Sequence, residues 1–403
     1  MKKILSIVFV LSVIYCQAGT VYTLSVGSSG LSTRNIYNTN VQGTINPQAG
    51  DTLDIPSNYG DIWNIALENI TAGTALNPVV ITCRTSSTMM IGGNTAYAFK
   101  INYSKNVKIV NLHFTGRGTG DGVQSSYDVD GIWFDHCTVK NTAGPGFFIK
   151  CVGDSTNPKS YYPQTLKNMK ITGCRVDSSG TESFYCGSTF ANEHQPYLAA
   201  YIDGLYLDQD SSFAAGWDGL QITNAVTLQV TNIYVRGAGR LNASGQRSCI
   251  TIQDNVLLRN AYAWDVADCP GTGVFIKCRG TVVIDNVKIS NVATATPNEA
   301  GVYADDKPVL LYDSTQAAGY YIDTTMRLVL TNFNINNTNG SKALLIRNLQ
   351  GTERAGIITY YGTNLPGSPV TDNGSNTITV LTSPPYSNPG RKHYRGLYYD
   401  QLH

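Results

Sequence analysis

The sequence predicts an all-β solenoid, a pile of similar coils built from short strands. Two observations carry this prediction. First, β-rich runs recur between Asn106 and Asn348: KIVNLHF (108–114), WFDHCTV (133–139), MKITGCRV (169–176), LQVTNIYV (228–235), LLRNAYA (257–263), VVIDNVKI (282–289) and LVLTNFNI (328–335). Aligned on Asn111, His136, Gly173, Asn232, Asn260, Asn286 and Asn332, they step by 25, 37, 59, 28, 26 and 46 residues. The step of 59 holds two coils, because YIDGLYLDQD (201–210) lies inside it. Second, another ladder runs between the first: GDGVQSS (120–126), GPGFFIKC (144–151), ESFYCG (182–187), WDGLQIT (217–223), SCITIQ (248–253), GVFIKC (273–278) and ALLIRN (343–348). Each coil therefore has at least two strands of period-two alternation, separated by Gly, Asn, Asp and Ser corners. A single coil cannot bury its apolar face, so neighbouring coils must share a core.

Taken in order, the chain opens on a secretory pattern. Lys2 and Lys3 precede an apolar run from Ile4 to Ile14, and Cys16-Gln17-Ala18 forms a small-residue cleavage site. Cys16 also raises a lipoprotein reading, which Tyr15 before it disfavours. Removal of residues 1–18 leaves 27 basic and 28 acidic residues. No other apolar run approaches the length of a membrane span. Residues 19–48 read as an N-terminal cap over the first coil. The stretch DIWNIALENI (61–70) fits a strand carrying Trp63 or a short helix. Residues 49–351 read as the solenoid. Residues 352–403 lose the ladder and read as a C-terminal cap or tail.

Three places interrupt the step: Asp154–Thr165, Ser188–Leu198 and Ala293–Asp323. Insertions in a repeat protein emerge as loops and often surround a binding surface. The first two follow the same strand of the second ladder in successive coils, so they should leave the solenoid side by side.

Composition bounds the partners. Charged residues are 14% of the chain and the formal net charge is +1, which gives no electrostatic case for nucleic acid. Eight cysteines follow Cys16, an even count that in an exported chain suggests disulfides. The repeat offers another reading: Cys137 and Cys174 share an aligned position, so they are also expected as stacked core thiols. No Cys/His spacing fits zinc.

Alternation in the second ladder points Val123, Ile149, Leu220, Ile222, Ile250, Ile252, Val274 and Ile276 inward. The outward row is then Gln124, Phe148 and Lys150, Tyr185, Gln221 and Thr223, Thr251 and Gln253, Phe275 and Lys277. An exposed row of aromatic, amide and cationic side chains suits a sugar polymer, whose CH faces stack and whose hydroxyls hydrogen-bond. Aligning Phe184 with Leu220 sets Glu182 level with Asp218. Two carboxylates so placed serve as an acid/base pair, as Ca²⁺ ligands, or simply as turn caps. Arg247 is expected at the same edge. Among the histidines, His113 and His136 read as structural, and His194 in a loop joins the substrate-binding candidates.

From about Gly50 to Asn348 the chain resembles the right-handed parallel β-helix, or pectin-lyase-like, superfamily. AGDTLDIPSNYG (49–60) and TAGTALNPVVITC (71–83) are similar to its opening phrase. ESFYCGSTF (182–190) with GWDGLQIT (216–223) is similar to surface and secreted members from Bacteroidetes. The motifs of the polygalacturonase branch are missing beyond Asp121-Gly122, Asp130-Gly131 and Asp218-Gly219. The lyase branch implies a Lys or Arg base and a cation against the substrate carboxylate. That gives the roles to Arg247, Lys150 and Lys277, with Ca²⁺ on Glu182 and Asp218. The resulting expectation is a secreted or cell-surface protein that cleaves an acidic polysaccharide by β-elimination. The alternative is a non-catalytic, glycan-binding or structural adhesin.

Overall fold

A computed structural model describes residues 19–23, 34–37, 47–55, 65–83, 89–91, 97–116, 120–152, 166–189, 202–242, 247–294, 300–305, 326–347, 356–372 and 376–385. Residues 1–18, Trp63, His194, most of the first two insertions and the end of the tail lie outside these residues. Among the described residues there are 28 strands and no helix, and every strand pairing is parallel. The architecture is a parallel β-helix, right-handed as parallel crossovers are.

Most coils contribute three strands. One coil runs through Asp121–Ser125 in sheet A, Asp130–Asp135 in sheet B and Thr138–Lys140 in sheet C, then returns to sheet A at Phe147–Val152. Register is continuous along sheet A: Phe147 pairs with Phe184, Phe184 with Leu220, Leu220 with Ile250, and Ile250 with Val274. The third strand is short and hides within the tail of each first-ladder run, which straddles sheets B and C.

The bend between sheets B and C explains the aligned residues. Asn111, His136, Gly173, Gln209, Asn232, Asn286 and Asn332 all adopt left-handed backbone, with φ between 53° and 63°. Asn tolerates that region and bonds nearby polar groups. Asn232 and Thr231 both donate to Asp208 on the preceding coil, at 2.7 and 2.6 Å. Asn332 and Thr331 repeat this on Asp285 at 2.8 and 2.6 Å. One alignment needs correction. Asn260 pairs with Gln229 and is exposed, while Ala263, with φ 63°, holds the bend. Register shifts between Thr223 and Gln229 displace that coil, and local residue type did not reveal them.

The predicted inward residues of sheet A are all buried. Phe99, Phe114, Phe134, Phe147 and Phe184 continue into a ring stack, with Phe147 and Phe184 5.2 Å apart and nearly parallel. Where sheet C meets sheet A the core narrows. A Cβ at Gly146, Gly219 or Gly273 would lie 2.5, 2.4 or 2.6 Å from Val176, Val235 or Ile289. One coil solves the crowding differently: Ser212 replaces the bulky residue, and its hydroxyl donates to Ser183 Oγ at 2.7 Å.

Several expected boundaries move. Strands Val21–Thr23 and Arg34–Tyr37 already pair in the stack, so residues 19–48 supply strands. The ladder also continues past residue 351, through Ile357–Thr363, Val370–Asp372 and Thr377–Val380. The expected third insertion contains a sheet A strand, Ala300–Asp305. The stretch 61–70 holds strand Ile65–Glu68. Cys83 is buried, and Cys137, Cys174, Cys186, Cys249 and Cys269 are buried free thiols, not disulfides. Cys137 N–H points at Cys174 Sγ at 3.4 Å, the stacking that the repeat predicted. Asp210 follows in the same column. Its Oδ1 accepts Cys174 N–H at 2.8 Å, and burial pushes its carboxyl well above the usual range.

Candidate functional site: a carboxyl column on sheet A

The entry to sheet A sets six residues one above another. Gly122 N–H donates to Pro145 O, Gly146 N–H to Glu182 O, Ser183 N–H to Asp218 O, Gly219 N–H to Ser248 O and Cys249 N–H to Thr272 O, at 2.9, 3.0, 3.1, 3.2 and 3.1 Å. The column therefore reads Asp121, Pro145, Glu182, Asp218, Ser248 and Thr272. Glu182 and Asp218 are level on adjacent coils, as Phe184 and Leu220 implied. Asp121 lies two coils from Glu182, about 10 Å away in the backbone at the usual strand spacing. Its place was legible: Asp121-Gly122 and Asp218-Gly219 precede equivalent strands.

Electrostatics sets these three carboxyls apart. Glu182 and Asp218 are each 1% exposed. Burial, with the Glu182 charge nearby, pushes Asp218 up to about 7. The same two causes raise Asp121 to about 7. Burial also raises Glu182, partly offset by hydrogen bonds from its own backbone and from Thr181 and then by the Lys150 charge. A low-dielectric setting disfavours the charged carboxylate, and like charges add to the effect. Asp218 Oδ1 accepts Ser248 N–H at 2.8 Å. Glu182 Oε1, Asp218 Oδ2 and Gln221 Oε1 are buried without a protein hydrogen-bond partner among the described residues.

The outward row is in register as expected. Gln124 pairs with Phe148, Phe148 with Tyr185, Tyr185 with Gln221, Gln221 with Thr251, and Thr251 with Phe275. It is not the exposed row that alternation implied. Lys150, Gln221, Thr223 and Thr251 are 0 to 3% exposed. Phe148, Tyr185, Gln253, Phe275 and Lys277 are half-buried. Nor are the aromatic faces open for sugar stacking: Lys150 Nζ sits 3.0 Å from the centre of the Tyr185 ring, and Phe275 stacks on Tyr303 at 5.0 Å.

The basic candidates separate. Lys150 joins the column through its effect on Glu182. Lys277 is four coils further along than Lys150, level with Gln253. Arg247 immediately precedes Ser248, the residue level with Asp218, but its guanidinium donates to Asn242 Oδ1 at 2.9 Å. His136 bonds Asp135 at 2.7 Å and His113 meets Thr138 Oγ1 at 2.6 Å, both on other sheets.

Among the described residues no group of three or more His, Cys, Asp or Glu converges to hold a metal ion.

The column makes stability depend on pH. Because the folded carboxyl of Asp218 titrates near 7 rather than near 4, its stabilising neutral form is complete below about pH 4 and is lost as pH rises through 7. A shift of about three pH units corresponds to roughly 4 kcal/mol. The melting temperature is expected to fall from pH 5 to pH 8. In Asp218→Asn, which keeps the acceptor for Ser248, that fall should flatten; an unchanged profile would contradict the assignment.

No protein-family model matches the chain, and no curated protein sequence does either. Solved structures do match. An alginate lyase from Paenibacillus aligns over 82% of this chain and 93% of its own, at 11% identity and TM-score 0.43. The A-module of a mannuronan C-5 epimerase from Azotobacter vinelandii aligns over 84% and 92%, at 12% identity and TM-score 0.43. A lacto-N-biosidase from Eubacterium ramulus aligns over 84% of this chain and 63% of its own, at 10% identity and TM-score 0.49. Fold does not carry function with it.

Proposed function

We propose that this protein cleaves glycosidic bonds, with Asp121, Glu182 and Asp218 exchanging the protons. The observation that supports this reading is one column of three carboxyls, two of them poised near neutrality. A general acid or base works best when its pKa lies near the working pH. Hydrolysis needs one protonated carboxyl to protonate the leaving oxygen and one ionised carboxyl opposite. The Glu182–Asp218 spacing of one coil fits retention of configuration. The Asp121–Glu182 spacing of two coils fits inversion. The rim through which a sugar meets the column is Asp121, Phe148 and Tyr185, which retain exposure. The amino-terminal pattern of Lys2, Lys3 and the following apolar run supports action outside the cytoplasm.

Beta-elimination is the second reading, and Lys150 favours it. A buried lysine against an aromatic ring is a candidate base beside an acidic sugar. Arg247 no longer supports that reading, because its guanidinium turns to Asn242. Incubation with a panel of neutral and acidic polysaccharides separates the two. New reducing ends without ultraviolet absorbance are expected. Absorbing, unsaturated ends would assign elimination, and no cleavage of any polymer would overturn catalysis in favour of a binding or structural protein.

A further inference from the structure

We infer that the glycan runs across sheet A, not along the solenoid axis, from Asp121 to a platform made by Tyr103 and Tyr127. The inference rests on the glycan-cleaving reading and adds the place where the rest of the sugar chain is held. Tyr103 directly follows strand Tyr97–Asn102, and Tyr127 lies two residues beyond strand Asp121–Ser125 on the next coil. Their rings stack with centroids 5.9 Å apart and planes 18° from parallel. Tyr103 is 44% exposed and Tyr127 is half-buried. Ring surface and phenolic hydroxyls offered together suit a sugar, which presents CH faces and hydroxyls.

The turn itself does not call for tyrosine. Tyr103 has φ 49°, and a bulky residue in left-handed backbone is an outlier. The preceding coil makes the same corner with Asn69, φ 62°, one residue past the Glu68–Asn102 pair. Asn69 is exposed and short, so it leaves the outer side of the Tyr103 ring uncovered. The unfavourable backbone is held in place: Tyr103 N–H donates to Tyr127 O at 2.8 Å, and Asn102 Oδ1 accepts the N–H groups of Ser126 and Tyr127 at 3.0 and 3.3 Å. Such an outlier, kept by its surroundings, points to a use for the side chain.

Register ties the platform to the carboxyls. On the same two strands Tyr97 pairs with Asp121 and Lys100 with Gln124. A chain leaving Asp121 therefore passes Gln124 and Lys100 before it reaches the tyrosines. Tyr127 is six residues after Asp121, about 20 Å at the usual rise of a strand. A hexasaccharide bridges that distance and a disaccharide does not. Along the axis the way is closed, because Gln221 and Thr251 are buried on later coils and Phe275 stacks on Tyr303.

Tyr103→Asn tests the platform, since asparagine keeps the bend and removes the ring. Calorimetric titration uses the full chain carrying Glu182→Gln, so that the probes stay whole. The probes are hexasaccharides and disaccharides of glucose, N-acetylglucosamine and galacturonate. At least one hexasaccharide is expected to bind tenfold tighter than its disaccharide. Tyr103→Asn should lose at least fivefold of that hexasaccharide affinity, leave the disaccharide titration unchanged, and hold or raise the melting temperature. Tyr103→Phe should keep hexasaccharide affinity within twofold. Unchanged hexasaccharide affinity in Tyr103→Asn, with a lower melting temperature, would make the pair structural and overturn the inference while leaving cleavage at the carboxyls standing. Absence of binding by every probe would overturn it as well. Ring-dependent binding by a protein that cleaves nothing would uphold it and reject only the catalytic reading.

Discussion

Glu182→Gln is expected to lower kcat/KM by about 10² to 10⁴, the usual contribution of a positioned proton donor or acceptor, while the melting temperature holds or rises. The two effects part because of burial. A glutamine keeps the shape and an acceptor oxygen, and it removes a carboxyl whose ionised form the site penalises. A residue needed only for folding would show the reverse, lower stability with the specific activity of the surviving protein preserved. The measurement is kcat/KM on whichever glycan the native chain cleaves, with thermal unfolding in the same buffer. Activity within twofold of native would remove Glu182 from the reaction.

Gly187→Ala should do the largest damage to the fold. Gly187 lies in sheet A, paired with Lys150, at φ +133°. A Cβ there would fall 1.6 Å from the backbone oxygen of Thr223 and 2.4 Å from its Oγ1. The nearest obstacle is main chain, so relief requires moving a strand of the next coil. The expected loss is at least ~3 kcal/mol, read as a lower urea midpoint or as failure to accumulate soluble protein. Gly340→Ala supplies the control. Gly340 also has positive φ, at +82°, but nothing lies within 4 Å of the added carbon. Its cost should stay near the ~1 to 2 kcal/mol of left-handed backbone alone. Equal losses at the two positions would rule out the clash.

The stacking was legible because backbone chemistry repeats. An Asn that tolerates a left-handed bend marks itself in every coil where it occurs. The coil with Ala263 at the bend was misread by three residues, because alanine carries no such mark and Asn260 nearby supplied a decoy. Strand Ala300–Asp305 escaped notice for a related reason: a run of six residues between two long intervals gives little periodicity to count. Pairing of Glu182 with Asp218 followed from aligning Phe184 with Leu220. Alternation could not reveal that Lys150 and Gln221 are buried, since burial on an outward face depends on what lies over it. Nor could it show that Arg247 turns to Asn242, a contact set by the neighbouring turn.

The pinch between sheets C and A has a further consequence for how such a chain can change. Glycine, serine or cysteine sits there against side chains of the adjoining strand, so a bulkier residue at that corner would push successive coils apart. The corner after sheet A carries no such restriction. The intervals after Val152, Thr189, Asp305 and Arg347 all begin there, and Val152 and Thr189 are register partners. Both corners vary in length: four intervals leave after sheet A, and the stretches Arg236 to Ile250 and Ser290 to Val302 lengthen the corner before it. Diversification can gather beside the acidic residues without altering the pitch that aligns them.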